Sequence, residues 1–419
     1  MSRSACAALL IAAALPASGE EPRPALTLAE ARRLALERAW PLLAARADVE
    51  TAEAQRIAAR ALPNPQLSAS AQRLETRDEP GAASSRDTIT ALSQLVELGG
   101  KRGDRVRSAG AGAAASARRL EFTRTRLDAD VVKTYAAALA AQETVRIERL
   151  SAASLERSAQ IAEDRFKAGE ISDVEREQVG IAAGRFAAEV RTAEAGAVQA
   201  RVALQFLLGA PRPDEDVTLA DDLERLSTLV SSFTPAPAAA VTWSAADRPD
   251  VRAAAAEVDR AQADLGLQRA LRIPDPTLLA QYESDLPDHP HTVGFAVSLP
   301  VPLFYRNRGG IRAAETARDS ARRDLLQAEA RAWAEVATAR SAWEAALERR
   351  RRVHGDLLPR AEKVEQIVAF AYRSGAASLL ELLEAERNLN ELRLSAVGTD
   401  AEAVSAAAEL AAARGEVLP

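Results

Sequence analysis

The sequence predicts an α+β membrane protein made of two repeats, each of which supplies two barrel strands and a pair of long coiled-coil helices. Three observations lead to this prediction: landmarks that recur roughly 205–211 residues apart, alternating strand patterns, and long proline-free segments with heptad spacing. The composition agrees, because alanine is common and only 4 % of the residues are aromatic. Such a chain suits long helices that pack closely through small side chains.

The first 19 residues have the pattern of a secretory signal peptide. Arg3 is followed by an apolar run over residues 5–17, and small residues close this run at Ala17, Ser18 and Gly19. The run is shorter than the about 20 apolar residues that a membrane-spanning helix requires. A buried N-terminal helix is the alternative.

Three landmarks of the first half recur in the second half in the same order. The matched pairs are residues 61–67 (ALPNPQL) with 272–278 (RIPDPTL), 98–102 (LGGKR) with 306–310 (RNRGG), and 165–169 (RFKAG) with 371–375 (AYRSG). We therefore expect a signal peptide (residues 1–19), a first repeat (20–208), a linker (209–250) and a second repeat (251–419). The linker is rich in proline and acidic residues, as connecting segments often are.

Each repeat has the pattern of a helix, two strands and two long helices. Capping signals open the first helices at Thr27-x-x-Glu30 and, as a weaker variant, at Ser244-x-x-Asp247. Residues 292–301 alternate between apolar and small or polar side chains, which predicts a strand with one apolar face, whereas residues 88–98 alternate less clearly. Glycines follow both strands, and we expect them to permit a sharp turn into a helix: Gly99, Gly100, Gly309 and Gly310.

Long proline-free segments follow the strands, over residues 104–164 and 311–358. A helix of about 60 residues would be about 90 Å long. The returning segments carry apolar and small residues at three- and four-residue spacing, which predicts coiled coils. We expect Pro359 to interrupt or kink the second outgoing helix. The two stripes are Val179, Ala183, Phe186, Val190, Ala193, Ala197, Ala200, Leu204 and Leu207, and Leu382, Ala385, Leu389, Leu392, Ala396, Thr399, Ala403, Ala406 and Leu410.

The predicted strands are too few to close a barrel, although strands of about 8–11 residues suit a tilted membrane sheet. Open sheet edges are not tolerated in lipid, because each unsatisfied backbone group costs several kcal/mol. Several chains must therefore contribute strands to one barrel. Its lipid-facing side carries Val293, Phe295, Val297 and Leu299. The alternative is a soluble two-stranded ribbon that packs on the helices.

These features together resemble the TolC-type outer-membrane efflux proteins. Residues 96–102 (VELGGKR) and the turn at 165–172 (RFKAGEIS) are most similar to the CzcC-like heavy-metal branch. The resemblance implies a homotrimer whose twelve-stranded barrel lies in outer-membrane lipid and continues as a helical tunnel through the periplasm. It also implies two partners, a periplasmic adaptor (membrane fusion protein) and an inner-membrane pump of the resistance-nodulation-division (RND) type.

Two glycine-containing turns join the long helices at the end far from the barrel. The resemblance implies that these tips contact the adaptor, and the alternative is a plain helix–turn–helix connection with glycine as the C-cap. The residues of the two tips are Arg165, Phe166, Gly169, Ser172, Tyr372, Gly375 and Ser378.

Glu381 and Glu384 follow the second tip, three residues apart and so on one helix face. Their position matches acidic residues that ring the periplasmic constriction in the family. The resemblance therefore implies a gate at which three protomers place six carboxylates around one opening, and such a ring favours cations. Glu175, after the first tip, is a weaker candidate. An ordinary solvated helix face is the alternative.

Few residues are available for metal or covalent chemistry. One cysteine and three histidines exclude zinc-finger, iron–sulfur and disulfide frameworks. His289 and His291 have no fixed third ligand, so we expect no metal site, no cofactor and no catalysis. A net charge of −6 argues against a nucleic-acid partner.

These observations favour a passive export channel that its partners open and energise, and the resemblance adds heavy-metal cations as cargo. Because cysteine, histidine and methionine are scarce, we expect metal selectivity to reside in the pump. Two alternatives remain: a channel for drugs or for type I protein export, and a soluble periplasmic coiled-coil scaffold.

Overall fold

The computed structural model describes residues 25–75, 85–214, 217–231, 243–286 and 289–418, and the predicted signal peptide lies outside them. Within the described residues the predicted fold class is confirmed, since a four-stranded sheet joins long helices. The elements in chain order are α1 (Leu28–Arg38), α2 (Trp40–Arg60), β1 (Gln66–Glu75), β2 (Ser85–Leu95), α3 (Lys101–Lys167), α4 (Asp173–Leu207), α5 (Leu223–Ser231), α6 (Pro249–Ala270), β3 (Thr277–Leu286), β4 (His289–Ser298), α7 (Arg308–Arg352), α8 (Leu358–Arg373) and α9 (Leu379–Arg414).

The four strands form one antiparallel sheet in the order β1-β2-β3-β4. The central pair, β2 with β3, joins the two repeats, and its register runs from Arg86 opposite Leu286 to Leu95 opposite Thr277. Strands β1 and β4 are therefore the edges of the sheet. Within the part of the chain that the structure describes, the outer side of neither edge has a partner.

The two connections from strand to helix differ, and the prediction for the second one was wrong. Gly99 and Gly100 have φ values of 72° and 79°, so both adopt the left-handed conformation that glycine tolerates. Gly309 and Gly310 instead lie inside the first turn of α7. The left-handed residue there is Asn307, with φ 54°, because asparagine tolerates this region and its Nδ2 donates to the Gln268 carbonyl oxygen at 2.8 Å.

The predicted helix starts are found with small shifts, and the second outgoing helix is interrupted just before Pro359. Thr27 caps α1, since its Oγ1 accepts from the Glu30 N–H at 3.2 Å. Ser244 caps a single 3₁₀ turn (Ala245–Asp247) rather than α6, which begins at Pro249. Pro359 lies just after a π-helical turn (Val353–Leu357) that separates α7 from α8. Because Pro359 has no backbone N–H, a carbonyl oxygen in the preceding turn lacks its usual donor, and the wider π-helical turn accommodates this.

The long helices and their apolar stripes agree with the sequence analysis. Helix α3 has 67 residues and is about 100 Å long. Every residue of the two predicted stripes is buried or half-buried. None of the described helices has the combination of length and apolar character that would let it cross a bilayer.

Among the described residues, the largest apolar core lies where α1, the middle of α3, the linker and the end of α9 meet. The buried hydroxyl of Tyr135 lies 2.8 Å from the Leu26 carbonyl oxygen and 2.7 Å from Asp221 Oδ2. The Leu28 N–H donates to the same carboxylate oxygen at 2.7 Å. Burial and the neighbouring Asp221 raise the pKa of Tyr135 well above its ordinary value, so the phenol stays a hydrogen-bond donor.

A second polar centre fixes α6 to α7 and to the end of α9. Arg248 is 1 % exposed and donates from Nη1 to the Ala413 carbonyl oxygen at 3.0 Å. Its guanidinium also binds both carboxylate oxygens of Asp250, at 2.9 and 2.7 Å, and lies 2.9 Å from Glu335. We call these four residues the Arg248 cluster.

Candidate functional site

The first tip is a tight helix–turn–helix connection whose ends are both capped. Gly169 has φ 77° and its N–H donates to the Phe166 carbonyl oxygen at 2.9 Å, which ends α3. Ser172 and Glu175 then form a reciprocal capping box at the start of α4. The Glu175 N–H donates to Ser172 Oγ at 3.2 Å, and the Ser172 N–H donates to Glu175 Oε2 at 3.0 Å.

The second tip repeats this geometry and gives Glu381 a role that sequence reasoning missed. Gly375 has φ 75° and its N–H donates to the Tyr372 carbonyl oxygen at 3.1 Å. The Ser378 N–H donates to Glu381 Oε2 at 2.7 Å, and the Glu381 N–H donates to Ser378 Oγ at 3.3 Å. Hydrogen bonds from Ser378 lower the pKa of Glu381, so its carboxylate stays charged. The Ser-x-x-Glu signal of this cap is present in the sequence at both tips.

The structure brings the two tips together. Tyr372 is buried with Ala162, Val179 and two leucines of α9, so α3, α4, α8 and α9 meet in one small apolar cluster. The guanidinium of Arg165 lies 5.5 Å from the centre of the Tyr372 ring, which links one tip to the other. Both predicted tip aromatics therefore make structural contacts. Tyr372 is buried in this cluster, and the guanidinium of Arg176 lies 4.7 Å from the centre of the Phe166 ring.

The predicted gate residues lie on an exposed face just after the second tip. Glu381 and Glu384 are both exposed, and neither forms an ion pair with a cation among the described residues. Glu391, two turns further along α9, is paired with Arg387 at 3.2 Å. Uncompensated negative charge is thus concentrated at the first turns of α9.

Two carboxyl groups lie in the contact between α3 and α9, which we call the α3–α9 seam. Glu148 is buried, and Asn390 Nδ2 donates to its Oε2 at 3.5 Å. Ser154 Oγ donates to Glu386 Oε1 at 3.2 Å. Burial raises the pKa of both glutamates, and the nearby Glu189 adds to the effect on Glu148.

The raised pKa values in the α3–α9 seam predict how the stability of the fold changes with pH. A carboxyl group with a raised pKa in the folded state contributes stability below its ordinary pKa, and this contribution is lost as pH rises through the folded pKa. We expect Glu148→Gln to unfold at a higher denaturant concentration than the wild type at neutral pH, and this difference to shrink as the pH falls to the ordinary range of glutamate. Guanidinium titrations over this pH range measure it. The exposed Glu156→Gln on the same helix is the control, and an equal gain there would contradict the prediction.

The predicted lipid-facing side chains of β4 are exposed in the chain. The exposed fraction is 83 % for Phe295 and 64 % or 68 % for its neighbours on the same face, Val293 and Val297. Leu299 follows the end of β4 and is also exposed. At the other end of this strand, the His291 ring stacks on Tyr282 with ring centres 5.7 Å apart and contacts its hydroxyl.

Two ion pairs at the junction of sheet and helices could not be read from local sequence. Lys101 is buried at the start of α3, where its Nζ lies 2.6 Å from Asp275 Oδ1 and donates to the Ile273 carbonyl oxygen at 2.5 Å. Arg105 donates to both oxygens of Glu97, at 2.6 and 3.0 Å. The first pair joins the two repeats across more than 170 residues of sequence. Among the described residues, no group of three or more His, Cys, Asp or Glu side chains is arranged to hold a metal ion.

The family model described as "Outer membrane efflux protein" matches residues 31–210 and 243–416, which is most of the chain. The chain belongs to the outer membrane efflux protein family. The predicted family is thereby confirmed, and so is the prediction of an efflux channel in the outer membrane. Members of this family are channels rather than enzymes, and the soluble scaffold is set aside.

Curated relatives of this efflux protein are similar over most of their length. The cobalt-zinc-cadmium resistance protein CzcC of Cupriavidus metallidurans is 29 % identical over 404 residues, which covers 94 % of this chain and 91 % of that protein. The pyoverdine export outer membrane protein OpmQ of Pseudomonas putida is 29 % identical over 374 residues, covering 83 % and 77 %. The nickel and cobalt resistance protein CnrC of Cupriavidus metallidurans is 29 % identical over 293 residues, covering 69 % and 67 %.

Solved structures share the fold of this efflux protein. A structure of CusC, described with transmembrane channel formation, superimposes with a TM-score of 0.75 at 20 % identity and covers 93 % of this chain and 92 % of that one. The open state of the Neisseria gonorrhoeae MtrE outer membrane channel gives a TM-score of 0.76 at 22 % identity, covering 93 % and 89 %.

Proposed function

We propose that three copies of this chain form a passive exit channel, in which a twelve-stranded barrel crosses the outer membrane and the helices continue it as a tunnel. The observation that carries the proposal is the pair of open edges on the sheet, β1 and β4. Lipid does not tolerate open edges, and pairing β4 of one copy with β1 of the next removes all of them when the ring closes. Twelve strands lie within the size range of outer-membrane barrels.

The helices support the same ring. In the half that bears the tips, α3 packs against α4 and α9, and α9 packs against α8. Helices α4 and α8 are therefore the ends of this row, as β1 and β4 are the ends of the sheet. Both ends expose apolar side chains close to the tips: Val174 and Ile181 on α4, and Val364, Ile367 and Phe370 on α8. In the ring, the exposed apolar residues of α8 on one copy would pack against those of α4 on the next copy.

The tips are the proposed contact with the periplasmic adaptor, through which the channel joins an inner-membrane RND pump. Capping at both ends and the Arg165–Tyr372 contact support this role, because a rigid tip loses little entropy on docking. Residues 1–19 are the proposed signal peptide that directs the chain out of the cytoplasm, and residues 20–208, 209–250 and 251–419 remain the proposed domains.

Heavy-metal cations are the proposed cargo, since two curated relatives are named for resistance to cobalt with zinc and cadmium, and to nickel with cobalt. The similar identity to a pyoverdine export protein favours a second candidate, export of an organic siderophore. We expect deletion of the gene to reduce tolerance of zinc, cobalt, cadmium or nickel and leave drug tolerance unchanged. Growth on graded metal and drug concentrations measures this, with restoration by the intact gene as the control. Loss of drug tolerance or siderophore export alone would favour the second candidate.

The acidic face after the second tip is the proposed cation-favouring gate. In a trimer, Glu381 and Glu384 place six charges at one end of the tunnel, and we expect Glu381→Gln with Glu384→Gln to lower the cation-to-anion permeability ratio on the order of tenfold. Glutamine at position 381 can still complete the capping box, so the tip should stay folded. Reversal potentials in planar bilayers with a salt gradient measure the ratio. Glu177→Gln is the control at the first tip, because Glu177 is already paired with Arg176 at 2.6 Å, and an unchanged ratio in the double variant would reject the gate.

A further inference from the structure

The connection between β4 and α7 differs from its counterpart in the first repeat. Residues 96–100 join β2 to α3, whereas the longer segment 299–307 joins β4 to α7. The first connection contains two left-handed glycines. The second contains Leu303, Phe304 and Tyr305, which are all strongly exposed, and Phe304 is fully exposed.

This aromatic segment continues the apolar stripe of β4. Exposed apolar residues recur at every second position of that strand and continue beyond its end through Leu299 to Val301. The N–H of Leu303 then donates to the Val301 carbonyl oxygen at 2.9 Å, which closes a three-residue turn at Pro302. The stripe ends at this turn, and Phe304 and Tyr305 follow it directly.

The height of the stripe agrees with a membrane. From His291, which stacks on Tyr282, to Val301 there are ten residue steps. At about 3.3 Å per step and a tilt of about 40°, they rise about 25 Å, which is the height of the apolar band of outer-membrane barrels. The Tyr282–His291 pair and the Phe304–Tyr305 pair then lie at opposite boundaries of the band, where aromatic residues are enriched.

The positive charges of this segment distinguish it from an ordinary apolar protein–protein contact. Arg306 and Arg308 follow the aromatic pair, are exposed, and form no ion pair with any carboxylate of the described residues. In the first repeat, Lys101 pairs with Asp275 and Arg105 pairs with Glu97, while the exposed Arg102 donates to the Arg60 carbonyl oxygen at 2.9 Å. Unpaired arginines beside exposed aromatics fit a surface that offers an apolar layer and negative phosphates.

We propose that residues 303–308 anchor the barrel in the periplasmic leaflet of the outer membrane, with Phe304 and Tyr305 at the level of the lipid headgroups and Arg306 and Arg308 on phospholipid phosphates. The proposal rests on the membrane-inserted trimer proposed above. It assigns the anchor to the second repeat alone, so a trimer carries three such anchors.

Site-specific fluorescence tests the position of the aromatic pair. Cys6, the only cysteine of the sequence, is replaced by serine, and Phe304→Cys carries an environment-sensitive nitrobenzoxadiazole label. The protein is reconstituted as heat-resistant oligomers in vesicles of phosphatidylethanolamine and phosphatidylglycerol. We expect blue-shifted emission that headgroup-level spin-labelled lipid quenches. The control Leu326→Cys, about 27 Å along α7 from its start, should not be quenched by lipid.

The arginines are tested by lipid preference. Quenching of the label at position 304 by spin-labelled phosphatidylglycerol is compared with quenching by spin-labelled phosphatidylcholine. We expect the preference for the anionic lipid to fall about fivefold for each arginine removed in Arg306→Gln and Arg308→Gln. Arg312→Gln is the control, because Arg312 is already paired with Glu315 at 3.5 Å.

Four results would overturn the anchor, and the last of them would overturn the trimer as well. Oligomers whose label is shielded but not quenched by lipid would show that a neighbouring subunit covers the aromatics, and a label that stays in water would show that nothing covers them. Equal lipid preference in all arginine variants would remove the phosphate contact. Absence of oligomers would overturn the proposed trimer and the anchor with it, which separates that failure from the other three.

Discussion

Replacing Ile367 and Phe370 together by aspartate is expected to abolish the trimer and, with it, efflux. Both side chains are exposed on α8 at the end of the helix row, 58 % and 69 % respectively. In the proposed ring they pack against Val174 and Ile181 of the next copy. Two buried, unpaired carboxylates for each interface would cost more than such a contact gains, because isolated charges are strongly disfavoured in apolar surroundings. Detergent-solubilised protein separated with and without heating measures the loss of the oligomer.

The control for this prediction changes charge on the same helix away from the apolar face. Arg373→Asp adds the same negative charge to α8 at an exposed position about 120° around the helix from the centre of the apolar face. We expect this variant to remain oligomeric. A stable oligomer in the Ile367/Phe370 variant would contradict the proposed contact between α8 and α4.

Replacement of Arg248 by methionine is expected to lower the free energy of unfolding by about 3 kcal/mol. Removing one partner of a buried ion pair typically costs 3–5 kcal/mol, and the low end applies because Asp250 and Glu335 are partly exposed to water. The Ala413 carbonyl oxygen also loses its donor, so the end of α9 loses its connection to α6. Guanidinium unfolding followed by circular dichroism measures the change.

Arg331→Met is the matched control for Arg248. Arg331 pairs with the same carboxylate, Glu335, at 3.2 Å, but its side chain is 76 % exposed. Exposed pairs contribute about 0–1 kcal/mol, so this variant should unfold close to the wild type. Equal midpoints for the two variants would mean that burial of Arg248 adds nothing to stability.

The parts of this fold that the sequence predicted are those with a local period. Alternation over residues 292–301 predicted β4, and the heptad stripes predicted α4 and α9, because periodic burial forces the same residue types to recur. The repeats predicted that both halves would be alike. The paired glycines at positions 309 and 310 were misread for the same reason, since the first repeat uses Gly100 where the second uses Asn307.

At the candidate site, the sequence supplied the residues and the structure supplied their partners. The tips were predicted from glycine and spacing alone, and the capping role of Glu381 was present as Ser-x-x-Glu but was overlooked. The contact of Arg165 with Tyr372 could not be predicted, because these residues lie on different tips more than 200 positions apart. The gate, the adaptor contact and the trimer remain proposals.

The sequence by itself determined the class of the fold, the long helices and the apolar face of β4, since each follows from the repeat of neighbouring residues. Only the tertiary structure decided that β2 pairs with β3, that Lys101 meets Asp275, and that Arg248 is buried. Such contacts join distant segments, and their free energy depends on which groups lose water together. No local pattern records that.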